Sequence, residues 1–238
     1  MPSNTRLSAS GLPPGAVITN GEAQTVSRFP TAKPDLRVKI SDPSGKISRA
    51  GGPLAPLART DYKVVFPYTP EIGINHVANY TSMNPTHSNY EYNFYQNSTV
   101  SDITISAQFS AQTPEDAEYV LAVQHFFRSV TKMFGGQDDR SGLPPVVCKL
   151  EGHGSLQLNY VPVVITSFSV SLPSDVDYIT CPPHSNQDKP SRVPVLQTFS
   201  ITAKPTYSRT RISNTFSLNR FANGELLGPN SDVVGGFI

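Results

Sequence analysis

The chain has 238 residues, enough for one large or two small domains with a substantial core. Nineteen Lys and Arg against eighteen Asp and Glu leave a net charge of +1, which excludes the basic field that a general nucleic-acid or membrane-surface binder depends on. No apolar run approaches the roughly 20 residues of a membrane span. The first residues carry no basic or apolar export signal, so Cys148 and Cys181 are expected as free thiols and the sequons at Asn79 and Asn97 as ordinary surface sequence.

In chain order, residues 1–60 hold one short candidate strand, Leu36 to Ile40, among Pro- and Gly-rich stretches, and are expected to form an extended, largely irregular arm. A compact β domain is expected over 61–215 and a C-terminal tail over 216–238. From Lys63 the pattern becomes strand-like, with a turn at Pro67 to Pro70. Residues 79–97 are rich in Asn and Tyr and broken at Asn84-Pro85, which predicts a long loop leading into a strand. There Tyr90, Tyr92 and Phe94 alternate with Glu91, Asn93 and Tyr95, as in a half-buried strand. An aromatic platform for single-stranded nucleic acid is the other reading, but no Lys or Arg lies between Lys63 and Arg128 to hold phosphates.

Val100 to Ala111 alternates cleanly, with Ile103, Ile105, Ala107 and Phe109 on one face and Asp102, Thr104, Ser106 and Gln108 on the other. One convincing helix follows, at 113–134. Thr113 is its N-cap, Pro114 its first residue, and Glu115, Asp116 and Glu118 suit the positive end of the dipole. Gly135 and Gly136 are its expected stop. Ala117, Val120, Leu121, Phe127, Val130 and Phe134 form an apolar stripe, widened by Phe126 and Met133, that needs a sheet to cover.

Beyond a turn-rich loop, Val164, Phe168, Val170 and Leu172 oppose Ile165, Ser167, Ser169 and Ser171. Then Val195, Phe199, Ile201 and Ala203 alternate with Leu196, Thr198, Ser200, Thr202 and Lys204. Between these strands four prolines, from Pro182 to Pro194, are expected to break any regular element. Three strands therefore carry one apolar face and one face of Ser, Thr and Gln with few of the charges that normally block edge-to-edge association. This pattern points to a sheet whose edges pair with other chains. Arg209, Arg211 and Arg220 form a basic cluster suited to a partner's carboxylates, the plain alternative being a solvated strand end.

Chemistry-bearing motifs are absent. Gly152 to Leu156 fails the nucleophile-elbow pattern, Gly135 to Gly142 lacks the spacing of a calcium loop, and five histidines show no ligand spacing. No enzyme, metal or cofactor is indicated. Asp175 and Asp177 read as turn residues, although a paired-carboxylate role is the version of this chain that would be a hydrolase.

Several runs occur together in order: Phe66 to Pro70 (FPYTP), the segment His87 to Asn97, the helix, and Pro173 to Ile179 (PSDVDYI). Over residues 51–215 the chain resembles the baseplate tail-tube junction, or tube-initiator, proteins of contractile-tailed phages of the T4-like and cyanobacterial kinds. The resemblance implies an α+β, mainly β fold: a tail-tube-like antiparallel sandwich or barrel with the helix on its flank. It also implies a six-fold homo-oligomeric ring that joins the central hub to the tail tube, templates tube assembly and passes DNA without specific binding.

Under that implication Asp102, Thr104, Ser106, Gln108, Thr198, Ser200 and Thr202 are candidate channel-lining residues. Leu121, Phe127, Val130 and Phe134, with Ile103, Ile105 and Phe109, form the brace, and the three arginines are inter-subunit contacts. The expected partners are the hub, an adjacent tube or second junction ring, and baseplate wedge proteins reached through the arm. The expected location is the virion, after assembly in the host cytoplasm. A carbohydrate-binding β-sandwich of a tail fibre and a baseplate cell-wall hydrolase are the alternatives.

Overall fold

The structure, a computed structural model, describes residues 36–136, 141–182, 189–228 and 235–238, together with the backbone of 16–19 and 22–25. Residues 1–35 and 36–238 separate into two units. In the first, β1 (Ala16–Thr19) and β2 (Glu22–Thr25) pair as an antiparallel hairpin, an element the composition of this segment did not predict.

The second unit is built on a seven-stranded sheet, antiparallel at every pairing. Its strands are β3 (Lys39–Ser41), β4 (Lys63–Val65), β5 (Glu71–Gly73), β8 (Ile103–Ser110), β9 (Cys148–Gly152), β10 (Leu158–Ser171) and β13 (Leu196–Pro205), in the order β4-β3-β9-β10-β13-β8-β5. The class is therefore mainly β with a few helices. Among the described residues the ladder is open, ending at β4 and β5, so one large sheet under a helix stands where a sandwich or barrel was expected.

Residues 36–60 belong to this unit: β3 is an interior strand, and Gly52–Thr60 forms a 3-10 helix with Leu54 and Leu57 buried. The domain boundary thus lies at 35/36 rather than at 60, because Ile40 and Leu57 carry enough apolar surface to join the core. The end of the chain is not a loose tail either. α2 (Arg209–Thr215) and α3 (Leu218–Ala222) are short helices, and Leu226 and Phe237 form a small second core with Tyr207 and Phe221.

α1 spans Pro114–Val130. Its start is as expected: Thr113 Oγ1 accepts from the Asp116 amide at 3.1 Å while Asp116 Oδ2 accepts from the Thr113 amide at 3.1 Å. Its end is four residues early. Thr131 hydrogen-bonds back to the Arg128 carbonyl, and Phe134 exchanges backbone bonds with Gly142 and Leu143, so the chain has left the helix before Gly135. Phe134 is consequently only half-buried under Lys46, Met133 is exposed, and Leu121 lies at the border of the buried arc. Ala117, Val120, Val123, Phe126, Phe127 and Val130 do the covering.

On the sheet the buried alternation of β8 is as read, with Ile103, Ile105, Ala107 and Phe109 inside. β10 departs from a simple alternation. A bulge between Ile165 and Ser167 inserts Thr166, so Val161, Val163 and Ile165 face the core on one side of it and Phe168 and Val170 on the other. Val164 and Leu172, expected on the apolar face, do not join it; Leu172 is exposed.

A chain of rings joins helix to sheet: Phe127 stacks on Phe168 (5.1 Å), Phe168 meets Phe199 edge-on (5.5 Å), Phe199 stacks on Phe109 (4.4 Å), and Phe109 touches Phe66 (5.6 Å). Beside it the buried amides of Gln124 and Gln197 share a 2.7 Å hydrogen bond. Strand alternation puts Gln197 on the apolar face, and its Nε2 has no further partner. The 24-residue stretch between Ser171 and Leu196 is not wholly irregular: β11 (Tyr178–Cys181) and β12 (Ser191–Pro194) form a hairpin that packs against α1.

Both cysteines are free and buried. Burial, with the nearby Asp42 carboxylate, pushes the Cys148 thiol up to about 12. At pH 8 its thiolate fraction is then about a thousandfold below that of an unperturbed thiol. A thiol reagent at pH 8 should leave Cys148 unlabelled in the native protein and label it fully in denaturant. Gln124→Leu, which strands the Gln197 amide, should lower unfolding free energy in urea by about 1–3 kcal/mol, and adding Gln197→Leu should restore most of the loss.

Candidate functional site: the hydroxyl-lined sheet face

The helix covers one face of the sheet; the other face, over β10, β13 and β8, is the candidate site. Side chains meet there in registered rows. Ser167, Thr202 and Thr104 form one row, Ser169, Ser200 and Ser106 the next, and Ser171, Thr198 and Gln108 a third. Thr202 is half-buried and the other eight are exposed. All nine are uncharged. Charge lies at the margins, with Asp102 before β8, Glu71 beside Ser106 on β5, and Lys204 further along β13.

All seven candidate channel-lining residues thus share this one face: Asp102 at its border, then Thr104, Ser106 and Gln108 on β8 and Thr198, Ser200 and Thr202 on β13. The bulge in β10 is what adds Ser167, Ser169 and Ser171, because it restores the outward direction of the serines after Ile165 has pointed inward. Sequence reading had these three serines on the polar side but could not place them in register with β13.

The two ends of the sheet differ. At β4, the Tyr119 hydroxyl accepts from the Val65 amide at 2.8 Å and donates to the Val65 carbonyl at 2.9 Å, so the helix occupies the outward backbone groups of that edge strand. Burial raises the Tyr119 phenol, which keeps it a donor. β10 pairs with β9 only from Leu158 to Val163 and β5 covers β8 only from Thr104 to Ser106. Among the described residues, Ser167–Ser171 of β10 and 107–110 of β8 therefore have a strand partner on one side only.

A second surface was missed by the sequence reading. β6 (His76–Met83) and β7 (Tyr92–Val100) pair as a two-stranded ribbon that continues the β5–β8 pair beyond a break at Asn75 and Ser101. The expected long loop is thus mostly strand. The expected half-burial is overturned too, since Tyr80, Met83, Tyr90, Tyr92, Phe94 and Tyr95 are all more than half exposed. Tyr80 and Tyr95 are cross-strand partners packed edge-on at 5.6 Å, and Met83 lies opposite Tyr92 on the other face with Phe94. The two sequon asparagines face each other, Asn79 Nδ2 donating to Asn97 Oδ1 at 2.7 Å.

The arginine cluster sits on helices, not on a strand end. Arg211 donates to the Gly235 carbonyl and lies over the rings of Phe237 (4.7 Å) and Tyr207 (5.5 Å); burial lowers its guanidinium and raises the Tyr207 phenol to about 12, against the opposing effect each has on the other. Arg220 pairs with Glu225 at 3.1 Å, and Arg209 is exposed. Only Arg209 is therefore placed wholly on the surface. The terminal segment held by Arg211 threads a narrow slot: a Cβ on Gly236 would lie 2.5 Å from the Leu227 carbonyl oxygen and 2.6 Å from that of Asn159, which accepts the Gly236 amide at 2.8 Å.

Among the described residues no group of three His, Cys, Asp or Glu is placed to hold a metal ion, and no helix is long and apolar enough to cross a membrane. His125 is exposed on α1, and Asp175 and Asp177 are exposed ahead of β11. Asp138, Asp139 and His184 lie outside the described residues. No protein-family model matches the chain, and no curated protein matches it significantly.

Because the hydroxyl rows face away from the core, Ser106→Lys and Ser200→Lys should each change unfolding free energy by no more than about 0.5 kcal/mol in the isolated chain. Urea melts of the purified variants check this; a loss of several kcal/mol would show the face to be covered.

Proposed function

We propose that the chain is a structural ring subunit of the axial tube of a contractile-tail baseplate, in which the hydroxyl-lined face borders the DNA channel. The observation that carries this reading is the three-row, three-strand surface of nine uncharged polar side chains. A wall of this kind wets readily yet offers passing DNA no cations, so phosphates gain no counterion-release affinity and the polymer is not retained. An ordinary exposed sheet of this width would carry Lys and Glu against edge pairing. Here the half-open strands β10 and β8 supply backbone groups that neighbouring copies would satisfy in a closed ring.

In this role the subunit joins hub to tube and templates assembly of the next ring, as the resemblance of residues 51–215 implies. The hub, the adjacent ring and wedge proteins are its partners, the virion its site, and its work is mechanical rather than catalytic. The hydrolase alternative has less support, because Asp175 and Asp177 lie exposed on the stretch ahead of β11.

One observation favours a second reading. The exposed tyrosines of the β6–β7 ribbon are what a sugar-binding tail-fibre module would present. They lie on both faces of the ribbon, however, whereas a sugar site gathers its rings on one. Electron microscopy of assembled tails separates the readings. The expected result is density for this chain as a closed ring on the tail axis with β8 and β13 innermost. Density at a fibre tip with the ribbon outermost would overturn the ring and favour the sugar-binding reading.

A further inference from the structure

An apolar groove of about 470 Å³ opens between the base of the β6–β7 ribbon and the C-terminal helices. Val77 and Val100 form one wall; Ile212, Phe216 and Leu218 form the other, above Phe237. Its floor is fixed, since Phe237 stacks on Tyr207 at 4.7 Å, touches Phe216 at 5.5 Å and carries the Arg211 guanidinium. Its far wall is bare: Ile212 is 46%, Phe216 44% and Leu218 71% exposed. Its apolar lining and exposed far wall suit an apolar side-chain cluster from a partner.

The same chain carries such a cluster. Met83, Tyr92 and Phe94 share one face near the tip of the ribbon, and a two-stranded ribbon open to water on both faces is marginal by itself. Charge matches as well. Glu91, beside Tyr92, is the one ionised side chain between His76 and Val100, while α2 and α3 carry Arg209, Arg211 and Arg220 and no acid. Arg209 is exposed one helical turn before the groove residue Ile212.

A tip cannot reach the groove of its own chain. The groove lies at the ribbon's base, and the seven residues from Val77 to Met83 span about 20 Å of straight strand. We propose that the Met83, Tyr92 and Phe94 face of one copy seats in the C-terminal groove of the next, with Glu91 against Arg209. Such a contact joins two different patches, so it runs head to tail and closes as a ring or continues as a filament. Only closure rests on the ring reading above.

The test uses two variants of the full chain: Tyr92→Asp with Phe94→Asp at the tip, and Phe216→Asp with Leu218→Asp at the groove. All four positions are exposed, and circular-dichroism melts confirm folding. At millimolar concentration each variant alone should sediment as a monomer, whereas an equimolar mixture should form a heterodimer and stop there, because one good tip meets one good groove. A second measurement avoids charge substitutions: mixed Tyr92→Cys and Leu218→Cys chains should form an intermolecular disulfide on oxidation. A mixture that stays monomeric and forms no such disulfide would overturn the proposal. So would axial rings in tails that assemble unchanged with the groove variant, although these would leave the ring reading intact. A wild-type filament in place of a ring would uphold the contact and remove the ring.

Discussion

The fold depends on the row of rings that runs from Phe127 on the helix through Phe168 and Phe199 to Phe109 and Phe66. Each contact adds about 0.5–1.5 kcal/mol beyond the area it buries, and together they cross helix, β10, β13 and β8 and reach the turn after β4. A single helix can cover only one face of so wide a sheet. That one-sidedness decides the rest: the uncovered face must be wet or must be covered by another chain.

The edges follow the same logic. Where α1 reaches the sheet margin, Tyr119 satisfies the outward amide and carbonyl of Val65 and closes that side to further strands. Where no helix reaches, at the far half of β10 and beyond the short β5, backbone groups lack a strand partner on one side among the described residues. Protection at one margin and openness at the others is the asymmetry that a repeating assembly requires, since an edge closed within the subunit cannot also be a joint.

The ribbon and the C-terminal segment extend this asymmetry away from the sheet. The ribbon leaves β5 and β8 without a covering layer, which is why its aromatic residues stay exposed despite their size. The last residues are held by close backbone packing at Gly236 and by Arg211, so the wall formed by α2 and α3 is a fixed surface. A mobile aromatic edge beside a flexible tail would have no geometry to offer a partner; a ribbon in register beside a rigid groove does.

Much was legible in the sequence where the signal is local. Thr113 as N-cap, Pro114 and the acidic first turn marked the start of α1, and period-two alternation marked the buried faces of β8 and β13 and the polar side chains opposite them. Non-local effects stayed hidden. The helix ends at Val130 as Phe134 pairs with Gly142 and Leu143 across the following loop, β10 changes face at a bulge, and Lys39–Ser41 becomes an interior strand because its partners come from 63–65 and 149–151. Composition made the first sixty residues look like an arm, and alternation made the ribbon look half-buried, since periodicity reports a preference for one face but not whether anything lies against it. By itself the sequence determined which side chains share a face and where the main helix begins, because those follow from dihedral periodicity and local hydrogen bonds. Only the tertiary structure decided which faces are covered, since burial depends on which segments, distant along the chain, have apolar surface left to place there.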